Sequence, residues 1–429
     1  MPNCQMPIAL RGTEEFDLDA APVIWLLQGP RLGDNEQVLA LGAALTARFG
    51  WSVRVKRIQY ARAPLARVPL AQSIDHVDLA RSDAISGPEA GPPPDLVIAI
   101  GRRAAPVARW IKAQHPRTGI HVQLGRYQDD FRDVDLLLTT AQYGLPLAPN
   151  ALHLTLPITA RPAEKLAEAA AHFGDELTAL KKPLIGVLVG GPSRPIEFDL
   201  AEGQRLLKEA LAFADSRGGT LLMATSPRTP AAVTEYLARN LPAPHRLFVF
   251  TQARQGPNPY LALLALCDAF VVTTDSISMM ADACLAGRET RLFSLPVAPR
   301  RALWKPSWPV HWAGRRRVHR LNAGLSADLI DRWFDAKVRA GLAQPSRHVP
   351  ILTNRLLREG QVALLSDPIP PGTGLASLAA HERDMVLVRI EALLAERRAK
   401  ALAARLSRRV QDSPRRPARA QLPLLASQA

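Results

Sequence analysis

A chain of 429 residues is too long for one ordinary hydrophobic core and long enough for two domains with additions. With 47% hydrophobic and 22% charged residues it reads as a globular protein, and no stretch approaches the ~18 uninterrupted apolar residues of a membrane-crossing helix. The 54 Lys and Arg against 39 Asp and Glu leave a formal charge of +15, which calls for anionic company: nucleotide phosphates, an acidic membrane surface or nucleic acid.

Residues 1–20 read as a leader; they hold four acids and lack an apolar core of signal-peptide length, so no secretion signal is expected. Cys4, Cys267 and Cys284 form no CxxC pair and suit a reducing, cytoplasmic compartment. PVIWLLQG (22–29) predicts a buried strand, and Val38, Leu41, Leu45 and Phe49 then recur at helical spacing up to Gly50. WSVRVKRIQY and DLVIAIG predict further strands, the second followed by the helical RRAAPVARWIKAQHP, and short apolar runs return at GIHVQLG, VDLLLTT and ALHLTLPIT. A linker helix over AEKLAEAAAHFGDELTAL leads to a second alternating series, from PLIGVLVGG to TRLFSLP.

Alternation of this kind means parallel sheets with crossover helices, and two series joined by one linker predict an α/β fold of two Rossmann-like domains facing across a cleft. The expected bounds are 21–160 for the first domain, 161–182 for the linker helix and 183–345 for the second domain. Residues 346–410 read as an insertion and a basic amphipathic helix, with 345–377 taken as loop, and 411–429 as a disordered basic tail.

Ligands of open α/β sheets bind at the carboxyl ends of the strands, where helix N-termini present free N–H groups to anions. The first such loop is GPRLGDNEQ. It lacks the G-x-G-x-x-G spacing of a dinucleotide site and the GK[ST] of a P-loop, so Asp34 near the helix N-cap, with Gly33 and Asn35, is either a plain cap worth ~1 kcal/mol or a set facing the cleft. GGPSRPIEFD offers Gly190 and Gly191 as a backbone cradle, with Ser193 and Arg194 beside it for a diphosphate. ATSPRTP adds Ser226 and Arg228. In VVTTDSISMMADACLAG, Asp275 or Ser276 caps a helix whose first N–H groups, with Ser278, meet a phosphate, and Asp282 lies where it could accept from ribose hydroxyls. Each loop alone could be structural.

Together, GDNEQVLALGAAL, PDLVIAIGRRAA, VGGPSRPIEFD, TSPRTP and above all VTTDSISMMADACLAG resemble the mitochondrial-fission "elongated mitochondria" family, whose bacterial members look like GT-B glycosyltransferases; the resemblance covers roughly residues 22 to 320. It implies a nucleotide-diphosphate sugar as donor substrate, no permanently bound cofactor and no metal. By position it assigns the diphosphate to Gly190, Gly191, Ser193, Arg194, Ser226, Arg228, Asp275, Ser276 and Ser278, and the ribose to Asp282, where such enzymes usually carry Glu. Where the family pattern has Pro-Arg and His-Asp, this chain has Arg126-Tyr127 and Gln142-Tyr143, which implies retained donor binding with altered acceptor chemistry. Plant members are associated with recruiting a dynamin-like protein to mitochondria.

An inverting transfer needs a base for the acceptor hydroxyl; Asp34 is the candidate, with Asp129 and Asp130 as backups. His115, His121 and His153 are scattered and read as ordinary. The alternative is a non-catalytic adaptor or peripheral membrane protein. Trp304, Trp308 and Trp312 among dense Arg, and the basic C-terminal helix, would then meet an anionic membrane at its inner face. Nucleic acid finds charge here but no recognisable binding module.

Overall fold

The structure is a computed structural model that describes residues 21–61, 74–116, 119–250, 258–298, 308–368, 372 and 374–411. The expected leader, and the expected tail from residue 412 on, lie outside these residues. Two parallel six-stranded sheets organise the chain.

The first contains β1 (Ile24–Gln28), β2 (Val53–Arg57), β3 (Leu96–Ile100), β4 (Ile120–Leu124), β5 (Leu136–Thr140) and β6 (Ala151–Leu154), in the order β2-β1-β3-β4-β5-β6. Strands β3, β4 and β5 are buried at every residue, which is why they read as unbroken apolar runs. Side chains alternate between two cores. One face, with Leu26, Ile98 and Val122, takes α1 (Leu32–Phe49). The other, with Trp25, Val97 and Ala99, takes α2 (Gly101–Gln114).

The connections from β4 to β5 and from β5 to β6 carry only single 3-10 turns, at Phe131–Asp133 and Ala141–Tyr143. Without crossover helices both faces of that half-sheet would lie open, and distant segments cover them. Val386, Leu387, Ile390 and Leu394 of α11 (Leu375–Gln411) join the first core. On the opposite face, α8 (Trp308–Asn322) and α9 (Leu329–Arg339) bring Ala313, Phe334 and Val338 against Tyr127, Phe131 and Leu137.

The second sheet contains β7 (Leu184–Val189), β8 (Thr220–Thr225), β9 (Arg246–Phe248), β10 (Ala269–Thr273), β11 (Glu289–Phe293) and β12 (Ala363–Leu364), in the order β12-β11-β10-β7-β8-β9. Counted from β7, that is the 3-2-1-4-5-6 order of the doubly wound dinucleotide fold. Helices α4 (Leu200–Arg217), α5 (Ala231–Asn240), α6 (Pro259–Leu266) and α7 (Ile277–Leu285) alternate with its strands, after the linker helix α3 (Ala163–Thr178).

The reading of 345–377 as loop is corrected. Val349–Arg358 forms α10, whose Val349, Leu352 and Leu356 enter the second core, and β12 completes the second sheet beside β11. The basic C-terminal helix is real, but it is docked on the first domain: Glu382 accepts from Thr155 N and Oγ1 at 2.8 and 2.7 Å, and Arg397 pairs with Asp135 at 2.7 Å.

Candidate functional site

In each sheet the winding direction reverses at one point, between β1 and β3 and between β7 and β10, and the loops leaving those strands border the cleft. On the second sheet, Gly190 N donates to Thr273 Oγ1 at 2.8 Å and Gly191 N to Asp275 Oδ2 at 2.9 Å. Arg228 Nη1 donates to Gly191 O, and its Nη2 pairs with Asp275, both at 2.9 Å. A Cβ on Gly190 would lie 2.3 Å from the Asp275 carboxylate, and one on Gly191 only 2.0 Å from Arg228 O. Both glycines are therefore required by close packing, and their N–H groups are already committed.

Two expectations change accordingly. The glycine pair is not an open cradle, and Asp275 is a buried anchor between two loops instead of a helix cap. Burial pushes the Asp275 carboxyl upward, against the pull of Arg228. Ser226 is likewise inward: its Oγ contacts Thr229 Oγ1 at 3.1 Å and accepts from Arg228 N at 3.3 Å, closing the 226–229 turn.

What remains open to an anion is the N-terminus of α7. Its N-cap Ser276 is buried and makes no side-chain cap, and Ser278 beside it is exposed. Arg194 is exposed and Arg228 keeps 42% of its side-chain surface. Ser193 Oγ accepts from Arg347 Nη1 at 3.2 Å. Asp282 is buried and holds three donors: Arg161 Nη2 at 2.6 Å, Tyr260 OH at 2.7 Å and Thr159 Oγ1 at 3.1 Å. Arg161 reaches on to Glu36 of α1 at 2.8 Å, so one guanidinium ties the two sheets' helices together. A cavity of about 480 Å³ runs along this seam, lined by Ile158, Arg161, Leu264, Asp282 and Leu285 among others.

On the first sheet, α1 starts at Leu32 with Arg31 as its N-cap, so Asp34 sits within the first turn and is not the cap. Gly33 is an ordinary helical position with open space at its Cβ. Asn35 turns inward and clasps Gly29, accepting from its N–H at 2.9 Å and donating to its carbonyl at 2.8 Å; it holds the turn and does not face the cleft. Asp34 is half-buried and makes no hydrogen bond or ion pair among the described residues. Burial raises its pKa, against the pull of Arg31 and Arg347.

Gly101, at φ +77°, opens α2 directly opposite: a Cβ there would lie 3.8 Å from Asp34 Oδ2. Tyr60 and Tyr143 close the surroundings; burial raises both phenols, and the charge of Asp34 adds to the effect. Tyr60 and Arg347 escape the sequence reading, whereas Arg126 and Tyr143 enter it only as positions that depart from the family pattern. Arg126 had a further signal in its place just past Gly125, at the end of β4. Arg347 had none.

The sequence model of the family described as "Mitochondrial fission ELM1" matches residues 32–351. The chain belongs to this family. The Mitochondrial fission protein ELM1 of Arabidopsis thaliana is 28% identical over 217 residues, 46% of this chain and 50% of the plant protein, so the match spans half of that relative's length. An uncharacterized protein of Rickettsia prowazekii (strain Madrid E) is 21% identical over 313 residues, covering 64% of this chain and 83% of its own. Among solved structures, Spinosyn Forosaminyltransferase SpnP is 15% identical with a TM-score of 0.41, covering 87% of this chain and 99% of its own. LpCGTa in complex with UDP is 13% identical with a TM-score of 0.39, covering 90% and 100%.

The remaining expectations for this ELM1-family chain are settled by packing. Asp129 is buried against Arg109 at 3.4 Å, and Asp130 is bound to Arg132 at 2.6 Å, whose hydrogen bonds hold its carboxyl below the usual range. Both backup carboxylates are thus committed to arginine partners. His121 is fully buried, lowered to about 4 by burial, and bonded to Gln123.

Trp304 lies outside the described residues, as does the side chain of Trp308. Trp312 is exposed on α8. The Arg run beside it is largely paired: Arg316 and Arg320 pair with Asp328 and Asp331, and Arg317 with Asp335. No helix among the described residues is long and apolar enough to cross a membrane.

Proposed function

We propose that this ELM1-family protein transfers a sugar from a nucleotide-diphosphate donor to an acceptor hydroxyl. Arg347 carries the reading. Its guanidinium hydrogen-bonds Ser193 in the loop after β7 and also acts electrostatically on Asp34, so the two switch points share one cleft. In this reading the donor diphosphate sits at the uncapped N-terminus of α7, with Ser278, Arg194 and Arg228 around it. Asp34 takes the acceptor's proton, the acceptor oxygen bonds to the anomeric carbon, and the diphosphate leaves with the electron pair of the broken bond, its charge met by the guanidinium groups.

Titration calorimetry against UDP, GDP, ADP and CMP tests the donor half. One nucleotide should bind, and Arg194→Ala, which removes an exposed side chain without an ion pair among the described residues, should weaken it by about tenfold, as loss of one charge-assisted contact does. No heat from any nucleotide at millimolar concentration overturns the proposal.

One surface supports a second reading, a peripheral membrane protein. Leu329, 80% exposed, joins Pro309, Trp312, Ile330 and Trp333 around an apolar depression of about 310 Å³ on α8 and α9. Exposed aromatic and aliphatic side chains on a basic protein suit a headgroup layer. Co-sedimentation with phosphatidylserine vesicles should fall on Leu329→Glu or Trp333→Glu; absence of wild-type binding overturns this reading.

A further inference from the structure

The two hydrophobic cores meet at the seam that holds the cavity of about 480 Å³. Among its walls, Leu154 and Ile158 belong to the core of the first sheet, and Leu156 and Leu264 to the core of the second. Close-packed interiors hold few spaces larger than a water molecule, and small-molecule sites typically measure about 300–1,000 Å³. This cavity falls within that range.

Helix α11 shows how the space arises. It buries Leu375 in the second core and Val386, Leu387, Ile390 and Leu394 in the first. Between them, at the same helical spacing, it presents Ala376, Ala379 and Ala380 to the cavity. The site differs from the proposed donor position. Helix α7 meets the cavity through Asp282, Leu285 and the following Ala286, whereas Ser276 and Ser278 lie at its opposite end. Among the described residues, neither α1 nor the loops carrying Arg194 and Arg228 line it.

Most of the charged side chains in the walls are committed. Asp282 holds its three donors, Arg161 bridges Asp282 and Glu36, and Glu382 accepts from Thr155 through both oxygens. Arg288, exposed, and Arg383, half-buried, are the exceptions. Neither makes an ion pair or a side-chain hydrogen bond among the described residues. The walls therefore suit an apolar body, and the uncommitted charge beside them is positive.

We infer that the seam cavity binds an anionic amphiphile, a single apolar chain between α11, α6 and residues 154–161, with its acidic head at Arg383 and Arg288. The inference goes beyond the glycosyl-transfer reading and does not rest on it. Because the walls come from both cores, the ligand adds contacts to each and stabilises the folded chain.

The test uses the full chain and dodecanoate below its micelle concentration, followed by calorimetry and thermal melting. Dodecanoate should bind one to one and raise the Tm, with affinity falling as salt rises, and dodecylamine should bind at least tenfold more weakly. Arg383→Gln should weaken dodecanoate by about tenfold, as loss of one charge-assisted contact does. Ala379→Leu fills the space and should weaken it by tenfold or more; if that variant fails to fold, Ala376→Leu takes its place. Leu329→Glu, on the apolar depression of α8 and α9, should change nothing.

No binding of dodecanoate, or binding untouched by both Arg383→Gln and the cavity-filling variant, overturns the inference. Equal binding of dodecylamine overturns the anionic head. Binding lost in Leu329→Glu alone overturns the site and assigns the amphiphile to the α8–α9 depression. None of these outcomes bears on the donor reading, which the nucleotide titrations decide by themselves.

Discussion

Replacing Asp34 by Asn should lower turnover by about 10²- to 10⁴-fold, the range expected for loss of a general base, and leave nucleotide affinity unchanged. The variant keeps the shape of the side chain and removes only its capacity to take a proton. Burial places the Asp34 carboxyl above the ordinary range, with Arg31 and Arg347 restraining the rise. Because the base works ionised, turnover in wild type should climb with pH through that raised value, and the acidic limb should vanish in the variant. The stability sign is the opposite. An acid with a raised folded pKa contributes stability that is present below its unfolded value, near ~3.9, and is lost as pH rises through the folded value. At neutral pH ionised Asp34 is a cost, so Asp34→Asn should melt no lower than wild type. Activity and Tm moving in opposite directions distinguish a base from a structural carboxylate; a fall in nucleotide affinity would instead place Asp34 on the donor side.

The two sheets were legible because their central strands are buried on both faces and end at Gly or Thr, as in IWLLQG, LVIAIG and AFVVTT. What escaped depends on contacts between distant residues. Strand β12 is two residues long, too short for any period, and becomes a strand only by pairing with β11. Helix α10 begins His348-Val349-Pro350, where Pro in the first turn is allowed but reads as a break. At the site, residue type alone was ambiguous. Asp275-Ser276 reads as a cap, yet Gly191 N, Thr273 and Arg228 compete for the carboxylate and take it inward. Asn35 reads as a ligand group and instead closes its own turn. Arg347 became visible only once the chain returned to the first domain through α8 and α9.

Removing Arg161 should cost the largest single loss of stability at the site. Arg161→Ala leaves Asp282, whose side chain is 2% exposed, with only the hydroxyls of Thr159 and Tyr260, and such a broken buried pair costs about 3–5 kcal/mol. Arg161→Lys should recover part of this, since an ammonium cannot reproduce the fork that reaches Glu36 and Asp282 together. Arg161→Ala combined with Asp282→Asn should cost less than the sum of the two single changes, because the second substitution removes the stranded charge. Thermal melting of the three variants reads this out; a wild-type Tm for Arg161→Ala means that the seam does not depend on the bridge. The same set decides the role of Asp282. If a nucleotide's ribose takes the Asp282 oxygens, it must displace Arg161 or Tyr260, and saturating nucleotide should narrow the Tm gap between wild type and Arg161→Ala. If both proteins gain equally, Asp282 keeps its bridge in the bound state, and its work is to hold Glu36, and with it the turn that carries Asp34, in register with α7.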